Sequence, residues 1–194
     1  MTGVELENVQ HLIRAYGPRR VTDSPLKRAA VLVPFVIKDG ELHLVYTRRT
    51  DEVEHHKGQV SFPGGMKDRG DEDLLATALR ETREEIGVDP RAVTVWGGLD
   101  DIVTVTSFVV SPFVGLLDRP GDFVVNPAEV ARVIEVPLEH ILHGGHFRER
   151  LIQWDGLAIT SPAFKWDGEL IWGATARISQ NLVEVLSSPR PRPM

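Results

Sequence analysis

Three glutamates, Glu81, Glu84 and Glu85, stand at i, i+3 and i+4 in a stretch free of proline and glycine from Glu72 to Ile86. In a helix that spacing gathers their side chains over a single turn. Like charges so close repel one another, a divalent cation relieves the repulsion, and hard oxygen ligands select Mg2+, Mn2+ or Ca2+ over softer metals. The chain has no cysteine and no paired histidine beside this turn, so Mg2+ is the expected ion, with Mn2+ next. On a solvated helix face, with Arg80 and Arg83 interleaved to balance the charge, the same glutamates would hold no metal. The turn just upstream favours the metal. Gly64-Gly65 lets the backbone approach closely, so that the Gly65 carbonyl could complete a coordination shell the glutamates begin.

The elements that must position these groups follow from pattern and punctuation. Glu72 to Gly87 predicts a helix of about four turns, with Leu75, Leu79, Thr82 and Ile86 on one apolar stripe and the three glutamates away from it. Val4 to Tyr16 predicts an amphipathic helix stopped by Gly17-Pro18. Ala30 to Ile37 and Glu41 to Thr47 read as a hairpin around Lys38-Asp39-Gly40. Strands are expected at Val93 to Leu99, Ile102 to Val110, Pro112 to Leu117 and Val130 to Val136. A short helix follows from Pro137, then a hairpin of Phe147 to Trp154 with Leu157 to Trp166, and a closing helix over Trp172 to Leu186. The order of elements fits a mixed sheet covered by helices on both faces, an α/β sandwich.

With 194 residues, 42% of them hydrophobic, the chain suffices for one well-buried core and is short for two, so a single domain over 1–186 is expected. The last residues, SSPRPRPM, cannot form a helix and read as a disordered tail. The longest apolar run, Ala29 to Ile37, is too short to span a bilayer, and the polar, acidic opening is unlike a secretory signal. Together with the lack of cysteine, this makes a cytoplasmic location the expectation. A net charge of −6 argues against a general nucleic-acid binder, because neutralising a phosphate backbone needs a basic surface.

Phe62-Pro63-Gly64-Gly65, Glu72 and Arg80-Glu81-x-x-Glu84-Glu85-x-Gly87 together resemble the signature of the Nudix hydrolases: G, five residues, E, seven residues, REUXEEXGU, with U a bulky apolar residue. Counted to Glu72, six residues follow Gly65 rather than five, and Thr82 takes a U position. The resemblance implies a Nudix-type α/β/α sandwich and hydrolysis of a nucleoside diphosphate linked to another group. It also implies metal ligation by Glu81, Glu84, Glu85 and the Gly65 carbonyl, with Arg80 and Glu72 as a supporting ion pair. The signature does not fix the general base. Glu84 is one candidate, and Glu129, where a loop meets a predicted strand, is another.

Thr47-Arg48-Arg49-Thr50, Gly58 and Phe62-Pro63-Gly64-Gly65 resemble the additional motif of the coenzyme A pyrophosphatase branch, LLTXR(S/A), three residues, R, three, G, three, FPGG. Val45-Tyr46 replaces Leu-Leu, Thr50 replaces Ser or Ala, and Glu54 stands where the motif has arginine. An acid cannot bind phosphate as arginine does, so Arg48, Arg49 or Lys57 is expected to supply that charge. The resemblance implies coenzyme A as substrate, with adenosine 3′,5′-bisphosphate and 4′-phosphopantetheine as products. A diphosphatase for ADP-ribose, NADH or another nucleotide, and a non-hydrolysing nucleotide-binding module, are the alternatives. Trp154, Phe164, Trp166 and Trp172 are aromatic candidates for stacking on adenine.

Overall fold

A computed structural model describes residues 3–51, 58–118, 123–143, 147–154 and 156–187. The continuous apolar run of the first long strand reflects burial on both faces. In β1 (Lys27–Lys38), Val33 and Phe35 pack toward one side, while Ala30, Leu32 and Val36 pack toward the other. Only a central strand of a two-sided sandwich needs that pattern. β1 pairs antiparallel with β2 (Glu41–Arg49) and parallel with β7 (Phe108–Leu117). β8 (Val130–Pro137) and the short β3 (Val60–Ser61) add to β2, while β5 (Val93–Gly98) and β6 (Ile102–Val103) add to β7. This is a mixed sheet of eight strands.

One irregularity in the sheet makes the site. β2 pairs with β1 only over Phe35 to Lys38. Nearer the start of β1, its partner is instead β4 (Gly64–Met66), through Ala29 to Val31. The sheet therefore splits between β2 and β1, with the glycine turn in the gap. Pro34 falls between the two paired segments, where a strand can dispense with one N–H.

The helix α2 (Leu74–Ile86) covers one face, contributing Ala78 and Ile86 to a core with Ala30, Leu32, Val45 and Leu117. The larger core lies opposite, under α1 (Gly3–Ala15), α3 (Leu138–Leu142) and α4 (Gly173–Ser187), and includes Ile13, Phe35, Tyr46, Trp96 and Leu182. β9 (Arg148–Trp154), β10 (Leu157–Trp166) and β11 (Glu169–Trp172) form a second, antiparallel sheet leading into α4. Among the described residues, no helix is long and apolar enough to cross a membrane.

Three expected boundaries move. The expected strand over Ile102 to Val110 breaks at Thr104 to Ser107, a tight turn with Ser107 at φ 63 and its N–H bonded to the Thr104 carbonyl at 3.2 Å. β7 then runs unbroken through Pro112. Asp167 and Gly168, both at positive φ, make a further hairpin turn, so Glu169–Trp172 is a strand and α4 starts only at Gly173. Of the expected tail SSPRPRPM, Ser187 closes α4, and the residues after it lie outside the described ones.

Candidate functional site

The site is built where α2 crosses the split in the sheet. Asp73 caps the helix, its carboxylate accepting from the Ala76 N–H at 2.8 Å, which places the first turn at Leu74 rather than Glu72. At the other end Gly87, at φ 74, donates its N–H to the Arg83 carbonyl, and a Cβ there would lie 2.8 Å from Val124. Between these caps the buried residues are Thr77, Ala78, Thr82, Glu85 and Ile86. The inward stripe is thus rotated from the expected one. Leu75 and Leu79 are half-buried, and Glu85, expected to fall away from the core, is 3% exposed. Thr82 is fully buried and donates to the Ala78 carbonyl at 2.7 Å, filling its place as a small core residue.

A carboxylate can lie on the inner face because polar groups, a hydroxyl and a backbone N–H, meet it there. The Thr47 hydroxyl donates to Glu85 Oε2 at 3.3 Å, and the Gly64 N–H points at Oε1 from 3.5 Å. Burial is the main force pushing the Glu85 carboxyl up to about 7. The Gly64 N–H and the Arg49 charge oppose that rise, and the charges of Glu81 and Glu129 add to it. Glu81 is raised for the same first reason, burial, partly offset by Arg80 and reinforced by Glu84 and Glu129. Both glycines are required by close approach. A Cβ on Gly64 would lie 2.3 Å from the Ala30 carbonyl oxygen, and one on Gly65 would lie 2.5 Å from Glu81 Oε1.

Glu129 joins the group from the far side. The Asn126 N–H donates to the Glu85 carbonyl at 2.9 Å, and the Thr50 N–H donates to the Glu129 carbonyl at 3.0 Å. The loop before β8 therefore ties the end of α2 to the end of β2. Asn126 Nδ2 reaches Glu129 Oε1 at 3.3 Å.

Arg80 sits at the edge of the carboxylates. It donates to Asp71 twice, from Nε at 2.9 Å and from Nη2 at 3.0 Å, and its Nη1 lies 2.9 Å from both Glu81 and Glu84. Asp71 is held well below the ordinary carboxylate range, chiefly by the Arg80 hydrogen bonds. The expected Arg80–Glu72 pair is thus Arg80–Asp71; Glu72 is exposed, and its backbone carbonyl accepts from Lys67. Asp71 follows Gly65 by five residues, Met66 to Gly70, and the extra residue of the signature lies after it, in Glu72 to Leu79. The spacing to Asp71 was the signal that could have found it.

Of the expected substrate-binding cations, Arg49 faces the site. It lines a cleft of about 260 Å3 that also reaches Gly64, Gly65, Phe62 and Trp172, and its Nε is buried without a hydrogen-bond partner among the described residues. Arg48 points elsewhere, lying 3.3 Å from Glu169 and 3.8 Å from Asp51. Adjacent residues of a strand face opposite ways. Lys57, with Glu54, lies outside the described residues. Of the aromatic candidates, Trp172 lines the cleft, Phe164 is buried in the core, and Trp166 packs edge-on against His140. The side chain of Trp154 lies outside the description.

The donor set suits a hard divalent cation. It is all oxygen, two of its carboxylates carry raised pKa values because burial leaves their charge poorly compensated, and Gly65 leaves room against one of them. Among the described residues no three carboxylate or imidazole groups close on a common point, and Arg80 engages Glu81 and Glu84.

A two-sided sandwich with a glycine turn set against helix-borne carboxylates is the architecture of one protein class, and comparison with known proteins agrees. The profile of the NUDIX domain matches residues 26–155. The chain is 36% identical over 161 residues, 83% of its length and 80% of the relative's, to an uncharacterized Nudix hydrolase, NudL, of Yersinia pestis. The same identity and coverage hold for NudL of Yersinia pseudotuberculosis. Among solved structures, a NUDIX hydrolase from Alicyclobacillus acidocaldarius superposes with a TM-score of 0.58 at 19% identity, covering 89% of this chain and 100% of that one. The Ap4A hydrolase of C. elegans in a binary complex gives 0.50 at 21%, covering 61% and 85%. The chain belongs to the Nudix hydrolase family, whose members generally use divalent metal ions and act on nucleoside diphosphates linked to a further group.

Proposed function

We propose that the protein is a Mg2+-dependent diphosphatase of coenzyme A or its derivatives, with Mn2+ able to replace Mg2+. The observation that carries the reading is Arg49, a cation whose buried Nε has no hydrogen-bond partner among the described residues, at the junction of the carboxylates and an apolar cleft. It stands at the one arginine of the coenzyme A motif that this chain keeps. Gly58, from the same motif, is at φ 65, with its N–H toward the Thr50 carbonyl at 3.4 Å.

Glu81, Glu84, Glu85 and the Gly65 carbonyl would hold the metal, which would supply charge neutralisation of the diphosphate and acidify the attacking water. Arg80, anchored by Asp71, sets the rotamers of Glu81 and Glu84. Arg49 binds the diphosphate and holds it against the glycine turn. A glutamate, Glu129 or Glu84, takes the proton of the attacking water as its oxygen bonds to phosphorus. The bridging P–O bond breaks, and its electron pair leaves with the departing phosphate. Glu129 is favoured, because its loop is bonded to both α2 and β2, whereas Glu84 is engaged by Arg80.

The test is a panel of coenzyme A, ADP-ribose, NADH and Ap4A incubated with Mg2+, with products separated by chromatography. Coenzyme A is expected to give the highest kcat/KM, and a low rank for it overturns the substrate assignment. Failure to hydrolyse any of the four with Mg2+ or Mn2+ would favour a nucleotide-binding module.

A further inference from the structure

The cleft carries cations on two sides. Arg49 stands on the β2 and β3 side, beside the carboxylates. Ala29, Val31, Phe108 and Trp172 also line the cleft, as does the start of α4, which packs against β6. Arg177, one turn into α4, lines the cleft there. It is exposed and makes no ion pair among the described residues, although the chain carries a net charge of −6. The Gly173 N–H is taken by Ser161 Oγ at 2.8 Å, while the first turn of α4 has no acidic residue to offset its positive end. The lining the two arginines share is mostly apolar and includes Ile102, Ile159 and Trp172, together with Val103 and Val105, which are 47% and 66% exposed.

Two cations separated by apolar walls match a ligand with two anionic groups and a flat, weakly polar body between or beside them. One anionic group is the diphosphate, at Arg49. On a nucleotide the other strong anion that can stand apart from the diphosphate is a phosphomonoester on the ribose, and a guanidinium binds such a group by paired hydrogen bonds. We infer that Arg177 is a specificity-determining residue that recognises a ribose phosphomonoester, with the base of the nucleoside lying along the apolar wall. The inference rests on the diphosphatase reading and selects, within it, substrates phosphorylated on the sugar.

Binding and turnover test it separately. By titration calorimetry, the protein should bind adenosine 3′,5′-bisphosphate at least about tenfold more tightly than AMP, and Arg177→Ala should reduce that ratio to below about threefold, the size expected for one charge-assisted contact. In turnover, the ratio of kcat/KM for coenzyme A to that for dephospho-coenzyme A should fall about 10- to 100-fold in Arg177→Ala and partly recover in Arg177→Lys. Equal affinities in the unaltered protein, or ratios that Arg177→Ala leaves alone, as for a merely solvated arginine, overturn the subsite. A bisphosphate preference that depends on Arg177 in a protein that hydrolyses neither substrate keeps the subsite and removes the diphosphatase reading. Hydrolysis of coenzyme A with its ratio unmoved does the reverse.

Discussion

Asp71 and Arg80 form a two-pronged pair, Nε to Oδ1 at 2.9 Å and Nη2 to Oδ2 at 3.0 Å, while the neighbouring Glu72 faces solvent. The Asp71 side chain is only 6% exposed and also accepts from the Thr77 hydroxyl at 2.9 Å. Its removal would release Arg80 from the anchor that fixes the geometry of its 2.9 Å contacts to Glu81 and Glu84. Asp71→Asn should therefore lower kcat by about 10- to 100-fold, as loss of a partner behind metal ligands commonly does. Glu72→Gln should stay within about twofold of the unaltered enzyme, as expected for an exposed side chain. Steady-state rates of the two variants side by side check the assignment, and the reverse order would return the role to Glu72.

The contrast between Asp71 and Glu72 marks how far the chain can be read without coordinates. The glycine turn, the glutamate helix, the hairpin of β1 and β2 and the two-sided sandwich follow from breaker residues and apolar periodicity, which are local signals. Which of two adjacent acids meets Arg80 depends on the path of a loop, where an extra residue can be taken up on either side. Burial of Glu85 was illegible for a different reason. A carboxylate scores as surface in any apolar pattern, and it lies inside here because the sheet splits and presents Gly64 and Thr47 to it. The break at Thr104 to Ser107 hid within an alternation of valine and threonine that reads as strand throughout. The cleft joins β3, β4, β6 and α4, and no single stretch of sequence contains it.

Gly65 tolerates no side chain without moving Glu81, a proposed metal ligand. A Cβ would stand 2.5 Å from Glu81 Oε1 and 2.9 Å from Oε2, so the carboxylate must shift. Gly65→Ala should cost on the order of 100-fold in kcat, the scale of an ångström-sized misplacement at a reacting centre. The Mg2+ concentration needed for half-maximal rate should rise with it. A metal titration of the variant measures both, and an unchanged titration midpoint would detach Gly65 from the metal.

Arg48 and Arg49 are adjacent but should behave unlike one another. Arg49 lines the cleft, whereas Arg48 is held by Glu169. Arg49→Ala should raise KM by roughly 10- to 100-fold, the value of a hydrogen-bonded charge on phosphate. Arg49→Lys should recover only part of the loss, because an ammonium cannot offer the planar pair of donors. Arg48→Ala removes a partly buried ion pair with Glu169 and no group that lines the cleft, and its KM should stay within about threefold. Kinetics on the same substrate for all three variants decides.

The burial of Glu85 makes the stability of the metal-free protein depend on pH in a direction opposite to that of an ordinary paired carboxylate. Its folded-state pKa is pushed up to about 7, whereas in the unfolded chain a glutamate titrates at about 4.3. Below the unfolded value both states hold the proton and no stability is lost. As pH rises from there through 7, the unfolded chain gives up its proton first, and folding is penalised until the folded carboxyl ionises as well. The full penalty, on the order of 3 kcal/mol, is reached above the folded value. Glu85→Gln removes the titrating group, so in the presence of a chelator its melting temperature should exceed that of the unaltered protein at pH 8 and converge on it near pH 4. Mg2+ should restore stability to the unaltered protein at pH 8 and leave the variant nearly unmoved, because the cation compensates the buried charge that the variant lacks. Melting curves from pH 4 to pH 8, with chelator and with Mg2+, measure both effects. A gap that stays constant across that range would mean that Glu85 ionises as an ordinary surface carboxylate does.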